Sequence, residues 1–158
     1  VRNQRPIIPA RGVNAEPPQN MYFKDALFLN TLRSVVDDDK RWFSLIREFY
    51  QHFKYQNIMT EDVVAFFNRG TGKDLTPVFD QYLRHTAVPV LELKFADGAV
   101  SYRWKVDEKN FVMPIKVGSR TNWKKIVPTT EWQTLKTAIA KDAFEVATDL
   151  YFVEVSKG

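Results

Sequence analysis

Residues 21–36 form the stretch that decides the fold: Met21-Tyr22-Phe23-Lys24-Asp25-Ala26-Leu27-Phe28-Leu29-Asn30-Thr31-Leu32-Arg33-Ser34-Val35-Val36. Drawn as a helix, this stretch has apolar side chains on nearly every side, which predicts a helix buried in the core rather than one at the surface. Tyr22 comes just after the polar pair Gln19-Asn20, where a helix N-terminus is expected. A phenol at the positive end of a buried helix is either ordinary core or one wall of an active site, and the pattern alone leaves both open.

The composition is that of a globular protein. The 158 residues suffice for one ordinary domain or two small ones, and 44% are hydrophobic and 14% aromatic. The longest apolar run is far below the roughly 18 residues of a membrane span, and we recognise no targeting segment. The chain has no cysteine, which excludes thiol catalysis, disulfides and cysteine zinc sites.

The net charge of +4 does not indicate a nucleic-acid partner. Residues 1–86 and 87–158 carry similar small positive charges, with both signs interspersed. A nucleic-acid-binding protein usually concentrates its basic residues in a patch or stripe. The densest basic cluster is Lys124-Lys125, which is typical of a solvated strand face. We therefore exclude nucleic acid as the main partner.

The first half of the sequence predicts an extended lead-in and four helices. Residues 1–19 are rich in proline and form either a linker or a strap across the domain. The carboxylates of residues 37–39 are suited to cap the second helix, and Thr60 to cap the third. The predicted helices cover about 20–36 and 40–54, then run from Thr60 to near Gly70 and from Thr76-Pro77 until Pro89 ends the helical region.

Beyond Pro89 the apolar period changes to two, which predicts β-strands. Asp97-Gly98 is a strong hairpin signal between the first two strands. Short strands separated by turns are typical of a small antiparallel β-sandwich. The fold class is therefore α+β, with a helical segment over 20–88 and a β-domain over 89–158. The strands are expected near 91–95, 100–104, 111–117, 124–127, 132–137 and 150–155.

A search for catalytic motifs finds no complete active site. The two histidines, His52 and His85, lie far apart outside any zinc-protease pattern, and surface or capping roles suit them better. The Asp37-Asp38-Asp39 run could bind a divalent cation, but helix capping explains it better. Without further information the chain is an α+β segment of unknown function.

Three ordered motifs resemble the end of the catalytic domain of the aminopeptidase N family of zinc metallopeptidases, of the bacterial gluzincin type. The helix at residues 21–33 resembles the family's Tyr-x-Lys-Gly-Ala helix, and Thr60-Glu61-Asp62-Val63 its threonine-capped helix. Gly72-Lys73-Asp74-Leu75-Thr76-Pro77-Val78-Phe79-Asp80-Gln81-Tyr82-Leu83, closed by Ala87-Val88-Pro89, resembles its Phe-Asp-Gln-Trp-Leu…Pro ending. The resemblance is most secure over residues 20–89.

The resemblance implies one catalytic group in this chain. The family's zinc ligands precede the tyrosine motif, and none of them is present here, so no metal-binding residue is assigned. The tyrosine that donates a hydrogen bond to the oxyanion of the tetrahedral intermediate maps onto Tyr22, and a neutral phenol suits that role. Asp25 replaces the family's glycine and would oppose the oxyanion, unless it acts as a favourable first-turn acid. Tyr82 replaces the usual tryptophan, which we expect to be a mild packing change.

The resemblance further implies that the intact protein, with zinc as its cofactor, removes N-terminal residues from peptides. This segment alone is expected to be inactive. Its expected partners are peptide substrates and the missing N-terminal part of the catalytic domain, and relatives favour a periplasmic or secreted location. The alternative, favoured by Asp25, is a non-catalytic scaffold or binding module with an aminopeptidase-like fold. A weaker alternative is a β-domain that binds a partner or carbohydrate through Trp104, Trp123 or Trp132.

Overall fold

A computed structural model describes residues 5–10, 13, 15, 16, 18, 21–96 and 98–158 of the chain. Within them, helices come first and strands follow, which confirms the α+β class. The helices are α1 (Met21–Val36), α2 (Asp39–Phe53), α3 (Thr60–Thr71) and α4 (Thr76–Arg84). The strands are β1 (Val90–Ala96), β2 (Ala99–Lys105), β3 (Ile115–Ser119), β4 (Asn122–Ile126), β5 (Gln133–Lys136), β6 (Glu145–Val146) and β7 (Glu154–Lys157).

The helix ends follow the polar signals in the sequence closely. The Asp38 carboxylate accepts a hydrogen bond of 2.9 Å from the backbone N–H of Arg41 and caps α2 as predicted. The prediction for α3 is wrong by one residue, because Met59 occupies the N-cap and its N–H donates to the Asp62 carboxylate. Gln19 and Asn20, which were expected to begin α1, lie outside the described residues. No helix in the described part of the chain is long and apolar enough to cross a membrane.

The strands form two sheets, with strand orders β5-β2-β1-β7 and β4-β3-β6. The predicted hairpin joins β1 to β2, and Gly98 has the positive φ of 70° that its turn requires, while Asp97 lies outside the described residues. An antiparallel sandwich was predicted, but one pair of strands is parallel: β7 runs parallel to β1, and Val90 pairs with Glu154. The β-region is therefore mixed.

Two strand predictions are wrong in their position. Phe111 and Met113 are fully buried, as a strand pattern suggests, but β3 begins only at Ile115. The carbonyl of Met113 accepts a hydrogen bond of 3.0 Å from the Trp104 indole, and Pro114 has no N–H to offer to a ladder. The strand expected over 150–155 begins at Glu154, because the residues before it form a turn.

One continuous hydrophobic cluster joins the helices to both sheets. The boundary proposed near residue 88 falls between the end of α4 and the start of β1, and the division into domains stays a prediction. The fully buried side chains of the cluster include Leu32, Val35, Val78, Tyr82, Leu91, Leu93, Val100, Trp104, Phe111, Met113, Ile115 and Val117.

Helices α1 and α4 hold the turn that precedes β7. The Thr31 hydroxyl donates to the carbonyl of Leu27 and accepts a hydrogen bond of 2.8 Å from the backbone N–H of Phe152. The Tyr82 hydroxyl donates to the carbonyl of Phe152 over 2.7 Å, and its ring stacks on Phe28 with the centroids 4.7 Å apart. Tyr82 is therefore more than the mild packing change that was expected, because its hydroxyl secures the C-terminal turn.

Part of the proline-rich lead-in lies across the helical layer. The backbone N–H of Ile8 donates to the carbonyl of Leu83 at the end of α4, over 2.9 Å. Residues 6–9 are half-buried there. Residues 6–9 of the lead-in therefore form a strap across the domain rather than a linker.

We expect Thr31→Val to lower the free energy of unfolding by about 1–3 kcal/mol. Valine has nearly the same shape, but it leaves the part-buried N–H of Phe152 without its acceptor in the core, the Thr31 hydroxyl. Urea unfolding followed by circular dichroism measures the change.

Ser34→Ala is the matched control, because among the described residues the Ser34 hydroxyl donates only to the carbonyl of Asn30, within α1. This substitution should change the free energy of unfolding by less than about 0.5 kcal/mol. Equal midpoints for Thr31→Val and the wild type would contradict the anchoring role of Thr31.

Candidate functional site

Tyr22 lies in the first turn of α1, and its side chain is 73% exposed. Its hydroxyl has no hydrogen-bond partner among the described residues. The prediction that α1 is buried all round is therefore wrong for the chain by itself. Only one face of the helix is buried, and it carries Lys24, Phe28, Thr31, Leu32 and Val35.

The opposite face of α1 is exposed although it is apolar. On α2, likewise, Trp42 and Leu45 are buried, while several apolar side chains of the helix are exposed. The guanidinium of Arg33 lies 5.3 Å from the ring centroid of Phe43 and connects the two helices at this surface. We call the exposed apolar side chains of α1 and α2 the hairpin face; they are Tyr22, Phe23, Leu27, Leu29, Phe43, Ile46 and Tyr50.

Lys24 fixes the start of α1 against the end of α4. Its side chain is buried, and its ammonium group donates a hydrogen bond of 3.0 Å to the carbonyl of His85. Burial lowers the pKa of Lys24, and the neighbouring Asp25 carboxylate partly opposes that change. This contact holds the first turn of α1, which also carries Tyr22, against the end of α4.

His85 occupies the C-cap position of α4, and whether it caps the helix stays a prediction. Its Nε2 lies 3.3 Å from the carboxylate of Glu108. The backbone N–H groups of Asp107 and Glu108 both donate to the Gln81 side chain. These contacts connect the end of α4 to the loop after β2.

Asp25, one turn from Tyr22, is half-buried. One of its carboxylate oxygens is buried and has no hydrogen-bond partner in the part of the chain that the structure describes. Burial raises the pKa of Asp25, and the Lys24 ammonium partly opposes that change. The favourable first-turn role is wrong, because α1 begins at Met21 and its first turn contains no acidic residue. The Asp25 carboxylate is therefore poorly solvated in the folded chain.

The acidic run at the tip of the α1–α2 hairpin has structural partners. Asp37 takes a positive φ of 58° and accepts hydrogen bonds from Lys116 over 2.6 Å and from Lys125 over 3.2 Å. The hydrogen bond from Lys116 is the main reason that the pKa of Asp37 is lowered. Asp39 pairs with Arg33 over 2.7 Å. The run therefore joins the hairpin to the second sheet as well as capping α2.

The side chains of the described residues do not fit a zinc site. They contain no group of three histidine or acidic side chains that could hold a metal ion. His52 lies in the last turn of α2, with its ring packed on Phe53, far in the sequence from His85 at the end of α4.

The tryptophans differ in their surroundings. Trp104 is buried, so its proposed role as an exposed binding aromatic is wrong. Trp132 is 37% exposed, and the charged ends of Lys94 and Arg103 lie 4.4 and 4.7 Å from its ring centroid. Trp123 is half-buried and lines a cavity between the sheets.

Comparison with solved structures shows what this fold is similar to. The structure of Legionella pneumophila aminopeptidase A in complex with aspartic acid matches 85% of this chain with a TM-score of 0.65 and 13% sequence identity. The match covers 17% of that chain, so this sequence spans a small part of its length. No family model and no curated protein matches the sequence. At this identity the likeness concerns the fold, which is similar to part of an aminopeptidase.

We expect Asp25→Ala to raise the free energy of unfolding by about 1 kcal/mol at pH 7, because it removes a buried oxygen that has no partner and adds a better helix former. The raised pKa means that the folded chain keeps the Asp25 proton to a higher pH than the unfolded chain. The free energy of unfolding of the wild type therefore falls as the pH rises from the pKa of the unfolded carboxyl, about 4, to the higher pKa of the folded chain. The gain should be largest at neutral pH and shrink towards pH 4.

Urea titrations between pH 4 and 7 measure this dependence. Asp142→Ala, at an exposed aspartate, is the control and should change stability by less than about 0.5 kcal/mol. A loss of stability in Asp25→Ala at pH 7 would show that the carboxylate has a favourable role.

Proposed function

We propose that this chain is the C-terminal part of a zinc-dependent aminopeptidase that removes N-terminal residues from peptides, and that it is inactive alone. The observation that carries this proposal is the fold similarity to an aminopeptidase over 85% of the chain, with Tyr22 exposed at the start of α1. The three motifs that resemble the aminopeptidase N family support the same assignment.

Tyr22 would act as a hydrogen-bond donor to the substrate. When water attacks a peptide carbonyl, negative charge develops on the carbonyl oxygen, and a neutral phenol placed beside it stabilises that charge. The exposed hydroxyl at the start of α1 is free to meet a substrate. Lys24 supports the role, because its bond to the carbonyl of His85 fixes the turn that carries Tyr22.

Zinc would be held outside this chain, because the described residues do not fit a zinc site. In a metallopeptidase the metal supplies Lewis-acid activation of water. The ligands would belong to the N-terminal part of the catalytic domain, which would cover the hairpin face apart from the Tyr22 hydroxyl, left open to the substrate. Two features support this arrangement: the face is apolar and exposed, and the matched aminopeptidase is much longer than this chain.

The second candidate is a non-catalytic scaffold with an aminopeptidase-like fold. Asp25 favours it, because a carboxylate one turn from Tyr22 would oppose an oxyanion if it remains ionised. Burial raises the pKa of Asp25, which reduces that opposition to the extent that the carboxyl is protonated. Zinc content and aminopeptidase activity of the intact parent protein distinguish the two candidates, since a scaffold would have neither.

We expect Tyr22→Phe in the intact parent protein to lower kcat by about 10²–10³, the usual effect of losing one oxyanion donor. KM for aminoacyl reporter substrates should change little. Tyr55→Phe, at a tyrosine 98% exposed, is the matched control and should keep wild-type rates. Unchanged turnover in Tyr22→Phe would remove Tyr22 from the mechanism.

Leu29→Ala tests whether the hairpin face is covered in the parent. Leu29 is 45% exposed in this chain, so here the substitution should change the free energy of unfolding by less than about 0.5 kcal/mol. In the parent it should cost about 2–5 kcal/mol, as for a buried leucine. Leu32→Ala, at a residue 1% exposed, should be costly in both proteins. Equal small effects of Leu29→Ala in both would show that the face stays open.

A further inference from the structure

A cavity of about 310 Å³ opens between the two sheets, and we call it the seam cavity. Strand β4 of one sheet and β5 of the other both line it. Its volume is at the lower end of the range for small-ligand pockets. The lining residues are Val117, Gly118, Asn122, Trp123, Lys124, Leu135, Lys136, Thr137, Ile139 and Phe144. None of them belongs to the site around Tyr22.

Strands β3, β4 and β5 contribute to the lining of the seam cavity, and β4 and β5 are edge strands. Among the described residues, β4 pairs only with β3, β5 pairs only with β2, and no ladder joins β4 to β5. Each strand therefore has a free edge of backbone N–H and C=O groups. Such edges can receive an added strand, whose main chain supplies hydrogen bonds and whose alternate side chains enter pockets.

The walls of the seam cavity are apolar at depth and basic outside. Leu135, Ile139 and Phe144 line it together with the half-buried ring of Trp123. Lys124 and Lys136 lie on the two edge strands, and both are exposed. None of the described residues that line the cavity is acidic. The apolar interior suits one large hydrophobic side chain, and the positive charge on both strands favours acidic neighbours.

Gly118 helps to form the wall of the seam cavity. It takes a positive φ of 133°, and an added Cβ would meet the carbonyl oxygen of Asn122 at 2.6 Å. The backbones of β3 and β4 therefore approach closely where the cavity begins. A side chain at this position would strain the backbone and crowd the wall.

We propose that the seam cavity binds an extended acidic peptide segment that inserts one large apolar side chain between the sheets. Its backbone pairs with a free strand edge, its apolar side chain packs among Leu135, Ile139 and Trp123, and its carboxylates meet Lys124 and Lys136. Neutral glycans lack the charge that this surface favours. The binding site is independent of the peptidase proposal, because it uses no residue of α1 and no metal.

Fluorescence anisotropy of the full 158-residue chain tests this inference. The probe is a fluorescein-labelled peptide of alternating glutamate and leucine, with blocked ends. One matched peptide replaces each glutamate with lysine, and another replaces the central leucines with proline, which cannot continue a strand ladder. We expect saturable binding of the glutamate peptide and at least tenfold weaker binding of the other two.

The charge-reversal variant Lys124→Glu/Lys136→Glu should weaken binding of the glutamate peptide at least tenfold. The control variant Lys73→Glu/Lys109→Glu makes the same change in net charge at exposed lysines that do not line the cavity, and it should bind like the wild type. Both substitutions of each pair lie at the surface, and circular dichroism verifies that the variants fold.

Three results would overturn the proposal. The first is no saturable binding of the glutamate peptide, and the second is equal loss of affinity in the two double variants, which would indicate a general charge effect. The third is self-association of the chain, measured by sedimentation, that Lys124→Glu/Lys136→Glu alone abolishes. In that case the occupant of the seam cavity is a second copy of this chain.

Discussion

The backbone of Phe152 is the point on which this structure depends. Its N–H donates to Thr31 on α1, and its carbonyl accepts from Tyr82 on α4, so two helices satisfy both polar groups of one residue. All of these groups lie in or beside the core, where an unpaired partner is costly. The residues that follow pass directly into β7, which pairs in parallel with β1. The parallel pairing is thus tied to the helical layer, and the helices and sheets share a single core.

Much of the fold could be predicted from the sequence, because local signals set it. Helix starts followed from acidic and proline residues, and the β1–β2 hairpin followed from a period of two and one turn. The failures come from interactions distant in the sequence. Phe111 and Met113 alternate like strand residues, yet the carbonyl of Met113 accepts its hydrogen bond from the Trp104 indole of β2. Periodicity reports which side chains are buried, but it does not report which backbone groups pair.

The candidate site could be predicted only in part. The resemblance to a family indicated Tyr22, and the structure places this residue at the exposed start of α1. The buried oxygen of Asp25 and the anchor from Lys24 to His85 depend on how α1 and α4 meet, which no local pattern contains. The apolar residues on several sides of α1 divide into two sets, of which one packs inside this chain and the other forms an exposed surface. A sequence pattern reports that a residue is apolar, but it does not report whether this chain covers it.

The bond between Thr31 and Phe152 spans 121 residues, and this distance has a consequence for synthesis on the ribosome. At about 5–20 residues per second, roughly 6–24 seconds separate the appearance of the two partners. During that time α1 and α4 can form, because their hydrogen bonds are local, but the surface reserved for the C-terminal turn stays open to water and to other chains. The helical layer therefore stays partly uncovered until the C-terminal turn has been synthesised, and exposed apolar surface of this kind is prone to aggregation.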